Sequence, residues 1–493
     1  MVVGSGIAGC AAALAAAREG EEVLLVTKAS EPEDASSDWA QGGIATTRGD
    51  PASLKADIIE ASANTADPEA VDILVENAAP AVRDVLLETL GIDFDTLGAD
   101  YDFAQEAAHS EERILHVDAS TGQHILRPFL SYLSDVENVE ILEATTALEL
   151  VRHEGRVHGA LLDTEPDGEP VFAGATVLAT GGIGDLYEES TNPAGSTGDG
   201  IAMAFLAGAE VEDMEFVQFH PTAAAIDDPF LLSEAVRGEG GVLRNADGER
   251  FMPEYHPDAE LAPRDHVARA VQDEIDTTGT VTLDVSPLDE PFDEAFPDLA
   301  ATCENRDIDW CKGIPVAPCE HFLCGGIDVD NRGRTTLDRL YAVGECARTG
   351  VHGANRLAST SLLEGLVWGL RAGEDAAGFA PEPIEVQGLR NSDPALPERF
   401  AAEKFHRLRS ITSGELGLRR TAEGIASARG VLRRLKGEVD AYTRTRTSRS
   451  LYELRNATVV AILIANAAAE TDESVGCHYL AESDRPAVET EAT

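Results

Sequence analysis

Four polar side chains in this sequence have the chemistry needed to bind two carboxylate groups. His220 lies in the stretch QFHPT and Ser233 in LLSEAVRGEGG, while His321 lies in HFLCGG and Arg356 in GANRLAS. A small dicarboxylate needs a cationic or donor-rich cluster at each of its two ends. The planar guanidinium of an arginine suits this task because it can hold a carboxylate through two parallel hydrogen bonds. A lone histidine on an apolar segment is more often structural, so the motifs around these residues decide their interpretation.

A further candidate, Arg264, follows Pro263 in ELAPRD, at the start of the predicted helix RDHVARAVQDEI. Proline suits the first turn of a helix, so this position also fits a capping or surface arginine. As an acid or base an arginine is unusual, because its pKa lies above about 12. Arg264 can therefore take part in proton transfer only if its neighbours relay protons.

The N-terminal segment has the pattern of a dinucleotide-binding fold. GSGIAG, Gly4–Gly9, precedes an alanine-rich helix that stops at Gly20, and a strand is predicted over Val23–Val26. In such units the glycines let a diphosphate approach the helix N-terminus. Only Met1–Val3 precede the first glycine, so the first strand is expected to be short, or the natural chain to begin upstream. Lys28 replaces the acidic residue that usually binds ribose and is predicted to meet a phosphate or adenosine oxygen.

Two later segments also combine an apolar strand with glycines. GATVLATGG spans 174–182 and ends in Gly181–Gly182, and TTLDRLYAVGECA spans 335–347 with the step Gly344–Glu345. Flavoproteins pass such segments along the ribityl chain of their cofactor, although each alone is also typical of an ordinary strand–helix turn. Their order along the chain favours FAD over NAD. The stretch SSDWAQGG, residues 36–43, adds small hydroxyl residues, paired glycines that permit close approach, and a tryptophan, Trp39, that is expected to be buried.

The order of elements predicts an α/β protein with four segments. A Rossmann-like FAD-binding domain is expected in two parts, 1–212 and 323–385, with an inserted α+β capping domain over 213–322, where proline-punctuated elements are short. After a proline-bearing linker, apolar residues recur every three or four positions, which predicts a C-terminal helical bundle over 386–493. The last residues, from Ala481, are predicted to form a solvated tail.

The composition excludes several classes of protein. The chain has 89 acidic and 38 basic residues, a net charge of −51. A surface this acidic disfavours nucleic acid and anionic membranes as partners, and acids spread along the whole chain indicate a halophilic cytoplasmic protein. The sequence shows no run that predicts a membrane span or a signal peptide. The seven cysteines are expected to be free thiols, because their spacing does not match zinc ligands, and no metal site is predicted.

Six motifs, in order, resemble the succinate dehydrogenase/fumarate reductase flavoprotein family. They are SSDWAQGGI, QFHPT, RGEGG, ELAPRD, HFLCGGI and HGANRLASTSLLEG, and the resemblance runs from Gly4 to about Tyr479. It implies an FAD site formed by Gly4, Ser5, Gly6, Ile7, Ala8, Gly9, Lys28, Ser36, Ser37, Asp38, Trp39, Ala40, Gln41, Gly42, Gly43, Gly181, Asp199, Glu345, Ser361 and Leu362.

The same resemblance implies roles for the candidate catalytic and substrate residues. The four residues introduced first would hold the two ends of a dicarboxylate over the flavin ring, and Arg264 would transfer a proton to or from a substrate carbon. Fumarate-reducing relatives imply a proton path of the type Arg–Glu–Arg. Glu234 and Arg237 stand at its other two positions.

Two positions point to a soluble amino-acid-oxidising member of this family. Ser36 stands where covalent members carry an FAD-linked histidine, so FAD is expected to be held noncovalently. Glu106, in QEAAHSEERILHVDASTG, stands where succinate dehydrogenases have glutamine, and a carboxylate there can face an ammonium group that succinate and fumarate lack. The loop also departs from the family pattern, with Ala107 and Ala108 replacing glycines. In ESVGCHY, Val475 replaces an arginine, so any contact made by that arginine is missing.

The implied reaction is the oxidation of L-aspartate to iminoaspartate by hydride transfer to flavin N5. Dioxygen or fumarate would reoxidise the flavin, and the product would feed quinolinate synthase in de novo NAD synthesis. The capping domain is expected to close over the substrate and exclude water. Two alternatives stay open. One is a fumarate reductase or succinate dehydrogenase flavoprotein subunit, which needs iron–sulfur and membrane partners; the other is a noncatalytic flavin-binding scaffold or sensor.

Overall fold

A parallel sheet of five strands forms the centre of the cofactor-binding half. In the computed structural model, which describes residues 1–118, 120–227, 229–393, 395 and 399–481, the first strand is central and all neighbours are parallel. The predicted strand Val23–Val26 is confirmed, and the first strand has only two residues. The strand order is Leu340–Ala342, Thr176–Leu178, Val2–Val3, Val23–Val26 and Val139–Leu142.

Close packing of an alanine-rich helix against a helix with three glycines brings the cofactor segments together. The predicted alanine-rich helix is confirmed over Ile7–Arg18, and helix Ser361–Asp375 lies along it. A Cβ on Gly369 or Gly373 would overlap backbone carbonyl oxygens of the first helix, so only glycine allows this separation. The close contact places the start of the later helix, Ser361, beside the glycine-rich loop.

A second sheet is antiparallel and has its own hydrophobic core. Its strands lie in the order Val217–Ala224, Ile314–Leu323, Val281–Asp284 and Val242–Asn245. Helix Arg264–Thr278 packs against the first two strands. The core of this region, between Leu232 and Val316, is separate from that of the parallel sheet. This sheet lies within the predicted capping segment, and the domain boundaries stay a prediction.

Three long helices follow the linker, as the sequence predicted. They span Phe400–Glu415, Ala422–Thr443 and Arg449–Glu470, and their apolar faces join a core with the reverse side of the parallel sheet. None of the described helices has the length and apolarity needed to cross a membrane. Most of the predicted tail, residues 482–493, lies outside the described residues.

Shorter elements complete the fold. An antiparallel sheet carries Ala147–His153, Arg156–Leu162 and Glu169–Phe172, and the remaining strands have two or three residues. They are Ile44–Ala45, Thr96–Leu97, Asp100–Tyr101, Phe103–Ala104, Ile114–Leu115, Val211–Glu212, Gly326–Asp328 and Ala347–Arg348. The other helices are Pro51–Ala61, Pro68–Ala81, the π-helical Val82–Thr89, Thr121–Ser134, Asp199–Ala207, Glu234–Gly238, Met252–Tyr255, Phe292–Ala295 and Pro297–Asn305.

Candidate active site and cofactor cleft

One continuous cleft joins the glycine-rich loop to the candidate substrate residues. All but three of the site residues predicted from the sequence line it. On the cofactor side these are Gly4, Ser5, Gly6, Ile7, Ala8, Lys28, Ser36, Ser37, Trp39, Ala40, Gln41, Gly42, Gly43, Gly181, Asp199, Glu345, Ser361 and Leu362. On the substrate side they are Glu106, His220, Ser233, Glu234, Arg264, His321 and Arg356.

The three exceptions lie behind the wall of the cleft. Gly9 faces the loop, where a Cβ would overlap the carbonyl oxygen of Gly4, so it is needed for helix–loop contact and not for cofactor contact. The buried Asp38 carboxylate turns away and accepts hydrogen bonds of 2.9 and 2.8 Å from Arg127. Arg237 is buried beyond Glu234. Trp39, expected to be buried, is 46% exposed, because it borders the cleft and donates to the Glu33 carbonyl.

The loop at the cofactor end fits the diphosphate of a dinucleotide. Gly4 has φ +111°, a conformation that favours glycine, and helix Ile7–Arg18 points its N-terminus at the cleft. The amide of Ile7 donates to the Ser37 hydroxyl at 3.2 Å, which fixes SSDWAQGG beside the loop. Next to Gly181, where φ is also positive, a Cβ would meet open space within the cleft. Free amides, hydroxyls and a helix N-terminus are the donors a diphosphate requires.

Lys28 and Asp199 form an ion pair on the cleft wall. The Lys28 ammonium lies 2.5 Å from an Asp199 carboxylate oxygen and donates to the Gly195 carbonyl. The other Asp199 oxygen accepts a hydrogen bond from Asn456, 2.9 Å away. The lysine therefore already has protein partners, and its predicted contact with a phosphate or adenosine oxygen stays a prediction.

Arg356 is the centre of the donor cluster at the substrate end. Its guanidinium donates to Ser361 at 2.7 Å and to Nε2 of His321 at 2.8 Å, and it lies 4.3 Å from the Phe322 ring centroid. Since Nε2 of His321 accepts, Nδ1 carries the hydrogen and donates to Thr191 at 2.6 Å. Burial, followed by the positive charge of Arg264, lowers the pKa of Arg356 to about 10. It stays cationic at neutral pH and can hold a carboxylate.

His220 provides a neutral donor beside this cluster. Its ring is fully buried, with a centroid 5.1 Å from that of His321. Nδ1 accepts from the amide of Thr222, so Nε2 carries the hydrogen, and Nε2 is buried without a partner in the part of the chain that is described. Burial, then the charge of Arg264, holds the pKa of His220 well below its usual value. An unpaired buried donor on a cleft wall fits a ligand oxygen.

Arg264 begins a buried chain of charged groups. It donates to Glu234 at 2.5 Å, and the other oxygen of Glu234 accepts from Arg237, also at 2.5 Å. Burial opposes ionisation of Glu234, yet the two arginines hold its pKa below the usual value. Arg237 continues to the backbone carbonyl of Glu260, whose carboxylate pairs with the half-exposed Arg250. The arrangement joins the cleft to the surface through polar groups.

Glu106 is a carboxylate among these donors. Its side chain is 3% exposed, and burial raises its pKa to about 7 despite a hydrogen bond from Ser359. Oε2 has no partner among the described residues, and a Cβ on Gly42 would overlap Oε1, so Gly42 is needed to leave room for it. Ser233 accepts from the amide of Ala235 and caps helix Glu234–Gly238, which leaves its hydroxyl hydrogen free to donate.

The sequence did not single out the residues that hold these side chains in place. Gln218 accepts from Arg264 at 3.1 Å and donates to the backbone carbonyl of Arg356 at 2.8 Å. Its place two residues before His220 on one strand gave the available signal, because alternate residues share a face. Glu320 is fully buried and accepts from Ser190 and Asn192, which ties that segment to the strand carrying His321. The sequence gave no signal for this contact.

Known proteins resemble the chain over almost its full length. A family described as "FAD binding domain" matches residues 1–362. An L-aspartate oxidase of Halobacterium salinarum is 67% identical over 498 residues, which cover 99% of this chain and 97% of that protein. L-aspartate oxidase 1 of Ralstonia nicotianae is 40% identical over 504 residues, covering 97% of this chain and 94% of that protein.

Solved structures share the fold. Quinol fumarate reductase of E. coli superposes with a TM-score of 0.87 at 27% identity, over 99% of this chain and 92% of the other. Sdh1 of Mycobacterium smegmatis gives a TM-score of 0.82 at 29% identity, and the superposition covers 97% of this chain and 88% of Sdh1. Because the sequence relatives are much closer and cover nearly all of its length, the chain belongs to the L-aspartate oxidase family of FAD-binding proteins.

Proposed function

We propose that the protein catalyses the FAD-dependent oxidation of L-aspartate to iminoaspartate, with dioxygen or fumarate as electron acceptor. The observation that carries this proposal is the position of Glu106. Among donors suited to carboxylates, it is a buried carboxylate with an unpartnered oxygen that faces the same cleft. A succinate ligand has nothing for this group to bind, whereas the ammonium of L-aspartate supplies a charged hydrogen-bond donor.

The donors divide into two groups that match the two carboxylates of the substrate. Arg356, oriented by its hydrogen bond to His321, forms one group, and His220 and Ser233 lie on the same cleft wall as the other. Three contacts at different points, two with carboxylates and one between Glu106 and the ammonium, fix both the position and the handedness of L-aspartate. Such orientation is itself a large contribution to rate.

FAD, when bound, would supply the acceptor for the hydride that leaves the α-carbon with both electrons. Glu106 holds the ammonium and, with a pKa of about 7, is suited to take the proton that the nitrogen loses. When fumarate is the acceptor, Arg264 stands ready to give a proton to the substrate carbon, and Glu234 and Arg237 would resupply it. Gln218 keeps Arg264 and Arg356 in fixed positions by accepting a hydrogen bond from Arg264 and donating to the Arg356 backbone.

Several finer assignments follow from the same site. FAD would be held noncovalently, since Ser36 stands where covalent relatives carry the linking histidine. The four-stranded antiparallel region would close over the substrate as a cap. We assign the reaction to the cytoplasm, in agreement with seven free thiols. Quinolinate synthase would consume the iminoaspartate.

The test is product analysis with FAD-loaded protein in molar KCl under air. L-aspartate should give hydrogen peroxide and ammonia in equal amounts, since iminoaspartate hydrolyses to oxaloacetate and ammonia. D-aspartate and succinate serve as controls, the latter with an artificial electron acceptor. Oxidation of succinate faster than L-aspartate would favour the succinate dehydrogenase alternative, and turnover of neither would favour the scaffold.

A further inference from the structure

A second cavity lies beside the cofactor cleft and has no part in the reaction described above. Its volume is about 610 Å³, within the range of about 300–1,000 Å³ that is typical of small-molecule sites. Its walls come from strand Ala147–His153, the C-terminal helices Ala422–Thr443 and Arg449–Glu470, and the linker residues 384–387.

One helix face connects the two cavities. Along helix Asp199–Ala207, Asp199 lines the cofactor cleft, Met203 lines both cavities, and Leu206 lines the second one. Positions separated by three and four residues lie on one side of a helix. Met203 therefore forms the common wall, and the cavities are arranged end to end along the helix.

The second cavity has an apolar wall. Leu150, Leu206, Ile384, Val386 and Val459 contribute to it. Leu206 is 43% exposed and lies in the last turn of helix Asp199–Ala207. An exposed leucine that faces a cavity offers favourable burial to the apolar part of a ligand.

The charges around this apolar wall leave a positive excess. Lys436 is paired with Asp440 at 2.6 Å, and Arg455 with Glu149 at 2.5 Å. The side chains of two further arginines on the wall, Arg152 and Arg444, are exposed and have no ion pair or hydrogen bond with any described residue, and Glu385 is the unpaired acid among the lining residues. In a chain with a net charge of −51, two arginine side chains without a protein partner beside one apolar wall indicate a site for an anion.

A short hydrogen-bond path joins this cavity to the cofactor cleft. Arg455, on the cavity wall, donates to the side-chain oxygen of Asn456 at 3.2 and 3.1 Å. Asn456 in turn donates to Asp199, the partner of Lys28. A ligand that forms a hydrogen bond with Arg455, or that displaces Met203, would change the wall of the cofactor cleft.

We propose that the second cavity binds an organic anion with an apolar body and a carboxylate, sulfonate or phosphate group, and that its occupancy changes the affinity for FAD. The apolar body would lie against Leu206 and Ile384, and the acidic group would meet Arg152 and Arg444. Ligand binding in the second cavity does not depend on which substrate the protein oxidises. It can therefore be tested without measuring turnover.

The probe is 8-anilinonaphthalene-1-sulfonate, an aromatic sulfonate that fluoresces in apolar surroundings, titrated into the FAD-loaded protein at fixed KCl. One saturable site is expected, and Arg444→Glu should weaken binding at least about tenfold. The matched control is Arg433→Glu, which makes the same charge change at an exposed position of helix Ala422–Thr443 outside the cavity. Its affinity should equal that of the unmodified protein.

The coupling is tested by equilibrium dialysis of FAD with and without saturating probe. A change of at least about threefold in the FAD dissociation constant is expected, and it should disappear in Arg444→Glu. Absence of saturable binding, equal weakening by both substitutions, or release of one FAD for each probe bound would overturn the proposed site. Unchanged FAD affinity with the probe bound would overturn the proposed coupling.

Discussion

The two ends of the cleft are built from different chemical groups. The cofactor end consists mainly of backbone amides, glycines and hydroxyls from short contiguous motifs, together with the ion pair Lys28–Asp199 already formed within the protein. The substrate end consists of charged and neutral polar side chains from distant segments, and Arg264, Arg356 and Glu106 are among those that line the cleft. The cofactor end is therefore expected to tolerate changes of charge better than changes of backbone position, and the substrate end the reverse.

The largest effect is expected from Arg264→Lys. Lysine keeps the charge but loses the fork that contacts Glu234 and Gln218 together, so turnover with fumarate as the electron acceptor should fall by about a thousandfold or more while FAD remains bound. Product assays and the flavin spectrum measure the two properties separately. Arg269→Lys, on the same helix but outside the cleft, is the control. Retained activity in Arg264→Lys would remove this residue from the chemistry.

Glu106→Gln should have the next largest effect and should be specific for the amino acid. Removing the carboxylate leaves the substrate ammonium unpaired in a buried site, which should raise KM for L-aspartate by about a hundredfold. Inhibition by succinate should stay the same or become tighter, since a buried negative charge is lost. Steady-state kinetics with succinate as inhibitor measures both. Equal weakening of L-aspartate binding and of succinate inhibition would show that Glu106 acts through general folding.

Gly9→Ala tests the cofactor end without touching the cofactor. The added methyl would overlap the Gly4 carbonyl, so the loop must shift and the FAD dissociation constant should rise by about tenfold. Once FAD is saturating, KM for L-aspartate should be unchanged. FAD titration by fluorescence and kinetics at excess FAD provide the measurements. A changed KM at saturating FAD would contradict the separation of the two ends.

At the substrate end, a pH effect on KM is expected that is similar to, or smaller than, the effect of Gly9→Ala on FAD binding. Burial raises the pKa of Glu106 to about 7, and only the ionised carboxylate pairs with an ammonium, so KM for L-aspartate should rise several-fold as pH falls from 8 to 6. His220 and His321 should not contribute, because burial holds the pKa of each well below its usual value. Initial rates across this range test the effect, and the dependence should vanish in Glu106→Gln.

Most residues that the sequence predicted at the cofactor end line the cleft, because the sequence information there is local. A glycine loop, a helix start and a strand are contiguous, so spacing alone placed Gly4 and Gly6 on the cleft. Asp38 is an exception because it turns toward Arg127, 89 residues away, and such a contact has no signature in the local pattern. Trp39 is exposed because it borders the cleft, which local sequence also does not reveal.

At the substrate end, motifs indicated which residues matter but not how they are held. His220 and Arg356 come from segments far apart, and their placement depends on Gln218 and on the segment that Glu320 ties to His321. Such partners become visible only when the strands are paired. The raised pKa of Glu106 likewise depends on burial by distant segments, so the sequence could suggest a carboxylate there but not its ionisation near neutral pH.

The most direct test of the proposed function is anaerobic mixing of the FAD-loaded protein with L-aspartate in molar KCl, followed by flavin absorbance. The flavin should bleach with L-aspartate and not with succinate at equal concentration, and peroxide should appear when air is admitted. Bleaching by succinate, or by neither compound, would contradict the assignment of Glu106 to the substrate ammonium and of the cleft to L-aspartate oxidation.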